Sequence, residues 1–192
     1  MSFFAYASDG ELRPARRAFL GNSGLLLTGT AVALLAGQDA LAKTGGAATE
    51  NDVRILNTAL GAELEAIAAY QVGAESGLLQ KPVLDLAVTF QGHHKEHADV
   101  LAKTIAKLGG KPVAAKAKYT FPVEKLKSQE DVLRFAAALE KGAVSAYLGA
   151  VPLFGNRELA KAAASILGDE AMHWAVLRNA VGDAPVPSAF VA

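Results

Sequence analysis

Two stretches of this chain repeat one another at long range, and that repeat limits the fold more than any other feature. Glu63-Leu-Glu-Ala-Ile-Ala-Ala-Tyr70 and Glu140-Lys-Gly-Ala-Val-Ser-Ala-Tyr147 agree in step at Glu, Ala, Ala and Tyr, 77 residues apart. His94-Lys-Glu-His97 and Glu170-Ala-Met-His173 stand 76 residues apart, each followed three and four residues later by Val and Leu. A chain of this kind is expected to build two similar halves, each with one Glu-bearing and one x-x-His-bearing segment, around a roughly two-fold site.

The segments read as helices. Apolar residues recur at spacings of three and four. Helix one gives Leu56, Ala59, Glu63, Ala66 and Tyr70, and helix two gives Val83, Ala87, Phe90, His94, His97, Leu101, Thr104 and Leu108. Helix three gives Leu133, Ala136, Glu140, Ala143, Tyr147, Ala150 and Phe154, and helix four gives Ala163, Ile166, Glu170, His173, Leu177 and Ala180. Helix one is expected to start near Thr49–Asn51, where Glu50 and Asp52 suit a helix N-terminus, and to end at Ser76-Gly77. Helix two opens at Pro82 and stops at Gly109-Gly110. Ser128-Gln129-Glu130-Asp131 resembles a capping box at the head of helix three, which fades near Pro152. Helix four runs from Asn156 to about Val181.

Helices one and two are joined by a few residues, as are three and four, so each pair is an antiparallel hairpin. Lys111 to Lys127 lie between the hairpins. Extended, that segment reaches roughly 55 Å, enough to travel the length of a helix and return the chain to the opposite end. The expectation is an all-α four-helix bundle of two hairpins with one long crossover.

Each seam is apolar except at its middle. Counting from the turns puts Glu63, His94–His97, Glu140 and Glu170 at one level, roughly 20 Å from the nearer turn at about 1.5 Å per residue. Three carboxylates buried together cost several kcal/mol unless they protonate or meet a cation. A divalent metal removes that cost. The metal-ligand candidates are therefore Glu63, His94, His97, Glu140, Glu170 and His173.

Composition removes other chemistries. There is no cysteine, which excludes disulfides, thiolate metal sites and iron–sulfur clusters. Lys plus Arg (19) equals Asp plus Glu (19), so no charge footprint for nucleic acid or an anionic membrane exists. The expected partners are metal ions and a small oxidant, with a homodimer compatible.

Residues 1–42 read as an export signal. Arg16-Arg17-Ala18-Phe19-Leu20 resembles a twin-arginine motif, Ala18 to Gly37 is uncharged and apolar, and Ala40-Leu41-Ala42 offers small residues for cleavage. Uncleaved, the same run is long enough to anchor the chain in a membrane. The expected location is the periplasm, with no stable membrane association once the signal is removed. Residues 43–50 read as a flexible lead-in, 51–182 as the bundle and 183–192 as an irregular tail.

Glu63–Tyr70, His97-Ala-Asp99 and above all Ile166-Leu-Gly-Asp-Glu-Ala-Met-His173 resemble the di-iron helices of bacterioferritins and rubrerythrins. Exported ferritin-like domain proteins, including relatives of plant desiccation-related proteins, look closer still. The resemblance covers about 130 residues and implies a ferritin-like bundle. It also implies Glu63 and Glu140 as terminal carboxylate ligands, His97 and His173 as imidazole ligands, and Glu170 as a bridge. The family's second bridging Glu belongs at position 94, where this chain has His, and imidazole cannot bridge as a carboxylate does. Manganese catalases, similar bundles, work with one protein carboxylate bridge. A dinuclear iron or manganese site is thus expected, against a mononuclear or degenerate one; zinc suits the same ligands. The implied function is reaction with peroxide or dioxygen in oxidative-stress protection, against a non-catalytic stress-related or desiccation-related bundle.

Neighbouring residues have plainer readings. Glu65 is the rival ligand on helix one but lies about 200° around it. His93 and Glu96 fall off the seam, as solvated residues or outer contacts. Tyr70 and Tyr147 are core residues that are also the catalytic candidates, as donors of an electron or hydrogen bond. Trp174 is read as packing. No substrate pocket is legible.

Overall fold

The computed structural model describes residues 46–191. The export segment read at 1–42 lies outside them, as do residues 43–45 of the lead-in.

Four helices account for most of the described chain: α1 (Gly46–Glu75), α2 (Lys81–Lys107), α3 (Gln129–Ala150) and α4 (Arg157–Ala180). Their ends follow local chemistry. Pro82 sits in the first turn of α2, where its missing N–H costs nothing. Ser128 Oγ accepts from Asp131 N at 3.2 Å, while Asp131 Oδ2 accepts from Lys127 N at 3.0 Å, a reciprocal cap on α3. Asn156 caps α4 by accepting from Glu158 N at 2.9 Å. Each such cap contributes about 1 kcal/mol. Gly109 and Gly182, at φ +79° and +81°, end α2 and α4 in the left-handed conformation that side chains disfavour.

The start of α1 differs from expectation. Residues 46–50, read as a flexible lead-in, are helical, because the first turns of α1 pack on the α3–α4 turn. Asn51 donates to Leu153 O at 3.1 Å. Asp52, expected to serve its own helix end, is buried and accepts instead from Gly155 N (2.8 Å) and Asn156 N (3.0 Å). A Cβ at Gly155 would stand 3.1 Å from that of Ala48.

The chain makes the expected long crossover. Beyond α2, Lys111 O and Val113 N bond the Asn57 side chain near the start of α1. At the far end, Gln80 N in the α1–α2 turn donates to Gln129 Oε1 at the head of α3 (2.8 Å). Between these points the crossover carries one 3-10 turn (Val123–Lys125) and packs Phe121 edge-on against Phe135 of α3. α1 and α3 consequently run antiparallel. The core has two apolar layers. Leu56, Leu60, Leu101, Ile105, Leu159 and Ile166 anchor one end, and Tyr70, Phe90, Leu133 and Leu177 the other. Between them lies a polar layer.

Candidate metal centre

All six ligand candidates meet in that layer. Glu63, His94, Glu140, Glu170 and His173 are no more than 3% exposed, and His97 is 15% exposed on its side chain. They form two groups whose ligand atoms all lie within 4.8 Å of one another: Glu63, His94, His97 and Glu170, and His94, Glu140, Glu170 and His173. Glu170 and His94 belong to both. The groups place Glu63 with His97 and Glu140 with His173, as the two-fold repeat requires. Glu65, the rival, is half-buried and stands in neither group. Glu96 is exposed, and Trp174 packs outside the centre, with Lys141 and Arg178 over its ring at 6.0 and 5.4 Å.

The donor set fits a divalent cation. Both oxygens of Glu170, Glu140 Oε2, His97 Nδ1 and His173 Nδ1 are buried and make no hydrogen bond. Buried polar atoms are nearly always satisfied, so five such atoms converging on one centre mark a ligand position. His97 Nδ1 stands 3.1 Å from Glu170 Oε1, and His173 Nδ1 stands 3.4 Å from Glu140 Oε1 and 3.6 Å from Glu170 Oε2. The six side chains are of the hard oxygen and imidazole type that iron, manganese and zinc accept.

His94 lies between Glu63 and Glu140. Its Nδ1 is 2.8 Å from Glu63 Oε2 and its Nε2 is 3.3 Å from Glu140 Oε1, so both ring nitrogens face carboxylates. Burial works against charge on His94, but Glu140 and Glu63 outweigh it and push its pKa up to about 10. His97 rises to about 9 in the same way, burial being overcome by Glu170 and Glu63. His173 also reaches about 9, through Glu140 and Glu170 against burial. Burial raises Glu63, yet contacts with His94 and His97 prevail and hold it down at about 2. Glu140 falls well below the usual carboxylate range, its imidazole neighbours His173 and His94 overcoming burial. Glu170 moves upward, with burial the largest cause. Without metal, the carboxylates therefore favour protonated imidazoles, which offset negative charge in the layer. A bound cation replaces those protons rather than filling an uncompensated negative hole.

The tyrosines tie the halves together. Tyr147 of α3 donates to Glu63 Oε1 of α1 at 2.6 Å, and Tyr70 of α1 donates to Glu140 Oε1 of α3. Burial, then the negative carboxylate beside each, raises both phenol pKa values and keeps the hydroxyls protonated.

Two features went unread in the sequence. Asp169 Oδ2 lies 3.3 Å from His173 Nε2, 3.5 Å from His97 Nε2 and 3.3 Å from His93 Nδ1, against the outward nitrogens of the site. The i,i+4 spacings His93/His97 and Asp169/His173 were the available signal. A cavity of about 560 Å³ also lies between α1 and α3, lined by small residues such as Ala59, Ala62, Ala66, Gly142, Ala143 and Ala146. It reaches Glu63, His94, Glu140 and Tyr147.

The sequence model of the ferritin-like domain matches residues 51–183. Among solved structures, a conserved hypothetical protein from Mycobacterium tuberculosis is similar in fold, with a TM-score of 0.65. It is 22% identical over 74% of this chain and 99% of that one. No curated protein matches the sequence.

Proposed function

This chain belongs to the ferritin-like domain family, and on that footing we propose that it is an exported metal protein whose centre holds two iron or manganese ions. The same reading has the centre react with peroxide or dioxygen, as protection against oxidative stress. The carrying observation is Glu170: one buried carboxylate, both oxygens free of hydrogen bonds, common to two complete ligand groups. Bound iron or manganese would supply a change of oxidation state and open coordination positions for a small oxidant.

The chain's own residues provide the setting. Glu63 with His97, and Glu140 with His173, would each hold one ion, and Glu170 would lie between the two. Tyr147 and Tyr70 fix the free orientation of Glu63 and Glu140 and keep a phenolic O–H beside the centre. The cavity between α1 and α3 gives an oxidant a route that ends at Glu63 and Glu140. Export by the twin-arginine route to the periplasm rests on Arg16-Arg17-Ala18-Phe19-Leu20 and the apolar run that follows.

One observation favours a second reading. His94 brings an imidazole where a carboxylate would bridge, replacing a negative ligand with a neutral or positive one between Glu63 and Glu140. That change supports a single-ion centre, zinc included, or a stress-related or desiccation-related bundle without turnover. Elemental analysis of natively exported protein separates the readings. About two ions per chain located among the six buried ligands supports the dinuclear centre, about one there supports the single-ion centre, and less than about 0.2 leaves only the bundle without metal. Peroxide and dioxygen consumption by iron-loaded and manganese-loaded protein then tests reactivity.

A further inference from the structure

Three side chains on the outer side of the centre form a separate cluster: His93, Asp169 and His173. Their facing atoms make a triangle. His93 Nδ1 is 2.8 Å from His173 Nε2, and Asp169 Oδ2 is 3.3 Å from each of those nitrogens. Ligand atoms set about 2.0–2.2 Å from a tetrahedral or octahedral divalent ion stand roughly 2.8–3.6 Å apart. The triangle therefore has the dimensions of one face of a coordination shell.

The fold holds this face rigidly on one side and opens it on the other. His93 is one helical turn before His97 on α2, and Asp169 one turn before His173 on α4, so two i,i+4 pairs confront each other. Phe90 stacks on the His173 ring at 4.0 Å and fixes its plane. The His93 ring lies nearly parallel to that of His173, 5.1 Å away. His173 is 2% exposed, whereas the Asp169 side chain is 24% and the His93 side chain 41% exposed. Water can complete the shell from the exposed side. Two imidazoles and one carboxylate with open positions suit iron(II), cobalt(II) or zinc(II).

We propose that His93, Asp169 and His173 form an outer divalent-cation site at the mouth of the buried centre. His173 belongs to both, presenting Nδ1 inward to Glu140 and Glu170 and Nε2 outward. A neutral imidazole has a single lone pair for ligation. His173 thus serves the outer site or the inner one at a given moment, and the outer site is a station on the way in. The outer site does not depend on the inner centre being dinuclear.

The test uses cobalt(II), whose visible spectrum reports coordination, with zinc(II) calorimetry beside it. In a Glu63→Gln, Glu140→Gln, Glu170→Gln variant, shown folded by circular dichroism, one cobalt ion should still bind. Adding His93→Ala should weaken that binding at least tenfold. In the otherwise native protein, His93→Ala should slow cobalt uptake into the inner centre several-fold and leave the final inner stoichiometry unchanged. Anomalous diffraction from zinc-soaked crystals of the single variant Glu140→Gln, which frees His173 from the inner centre and does not depend on the triple variant folding, should place an ion between His93, Asp169 and His173. No ion there at saturating zinc would overturn the proposal. So would an effect of His93→Ala confined to inner-site affinity, which would make His93 and Asp169 orienting groups for His173 only. Failure of the inner centre alone, with the triple variant still binding cobalt, would sink the proposed function and leave the outer site standing.

Discussion

Tyr147 donates a 2.6 Å hydrogen bond to Glu63 across the boundary between the two halves of the bundle. Tyr70 makes the reciprocal bond to Glu140. Each tyrosine lies seven residues beyond the glutamate of its own helix. Because α1 and α3 run antiparallel, that spacing crosses the pairs, and each carboxylate is oriented by the opposite half.

Tyr147→Phe should weaken metal binding at the Glu63 position by about 10–100-fold, the usual effect of removing a group that orients a ligand. Folding stability should fall by about 1.5–3 kcal/mol, since the ring remains but a buried hydrogen bond to a charged carboxylate is lost. Chelator competition and urea denaturation measure the two effects. A loss of stability with unchanged metal affinity would make the tyrosine a core residue only.

Glu170→Gln should empty the whole inner centre, whereas Glu63→Gln or Glu140→Gln should each remove one ion. The asymmetry follows from Glu170 belonging to both ligand groups. Elemental analysis after gel filtration reads it directly.

Metal binding near pH 7 should release protons, because neighbouring carboxylates push His94, His97 and His173 upward and an imidazolium must shed its proton to ligate. Calorimetry in buffers of different ionisation enthalpy counts them. Stability of the metal-free protein should follow the same groups. The histidines, raised to about 9–10, contribute fully below their unfolded value of 6.5 and lose that contribution as pH climbs through 9 to 10. Glu63, lowered to about 2, contributes above 4.5 and loses it as pH falls toward 2. Urea midpoints in chelator should therefore be highest between pH 4.5 and 6.5 for these groups and decline on either side.

His94→Glu should tighten the second ion by at least about tenfold, since it restores a carboxylate between two cations. An unchanged stoichiometry and affinity in a metal titration would show that position 94 does not limit the centre.

Ala143→Phe should fill part of the cavity between α1 and α3. Oxidant consumption by the loaded protein should fall several-fold while metal content is unchanged. Unaltered consumption would mean that the oxidant enters elsewhere.

The helices, the crossover and the buried middle layer were legible because each has a local chemical signature. Pro82, Ser128 and Asn156 start helices where their side chains dictate, and Gly109 and Gly182 stop α2 and α4. Seam counting placed Glu63, His94, Glu140, Glu170 and His173 correctly because a straight helix keeps register over a few turns. It failed for Ala66 and Ala143, which border the cavity instead of a packed core, since a methyl group fits either setting. Ala180 is exposed for a similar reason. Asp52 was misread because its partners, Gly155 and Asn156, are about a hundred residues away, and nothing local distinguishes a helix-dipole Asp from a tertiary one. The carboxylate-only view of the centre also missed that its own imidazoles can carry the compensating charge.

The Asp52 joint has a reach beyond its own corner. It clamps the start of α4 to α1, and from that clamp Glu63 is eleven residues along one helix and Glu170 fourteen along the other. A slip of one turn would displace Glu170 by about 5.4 Å, more than twice the length of a metal–oxygen bond. Injury to the first turns of α1, roughly 16 Å from the centre, should thus announce itself as detuned chemistry in a bundle that still looks helical.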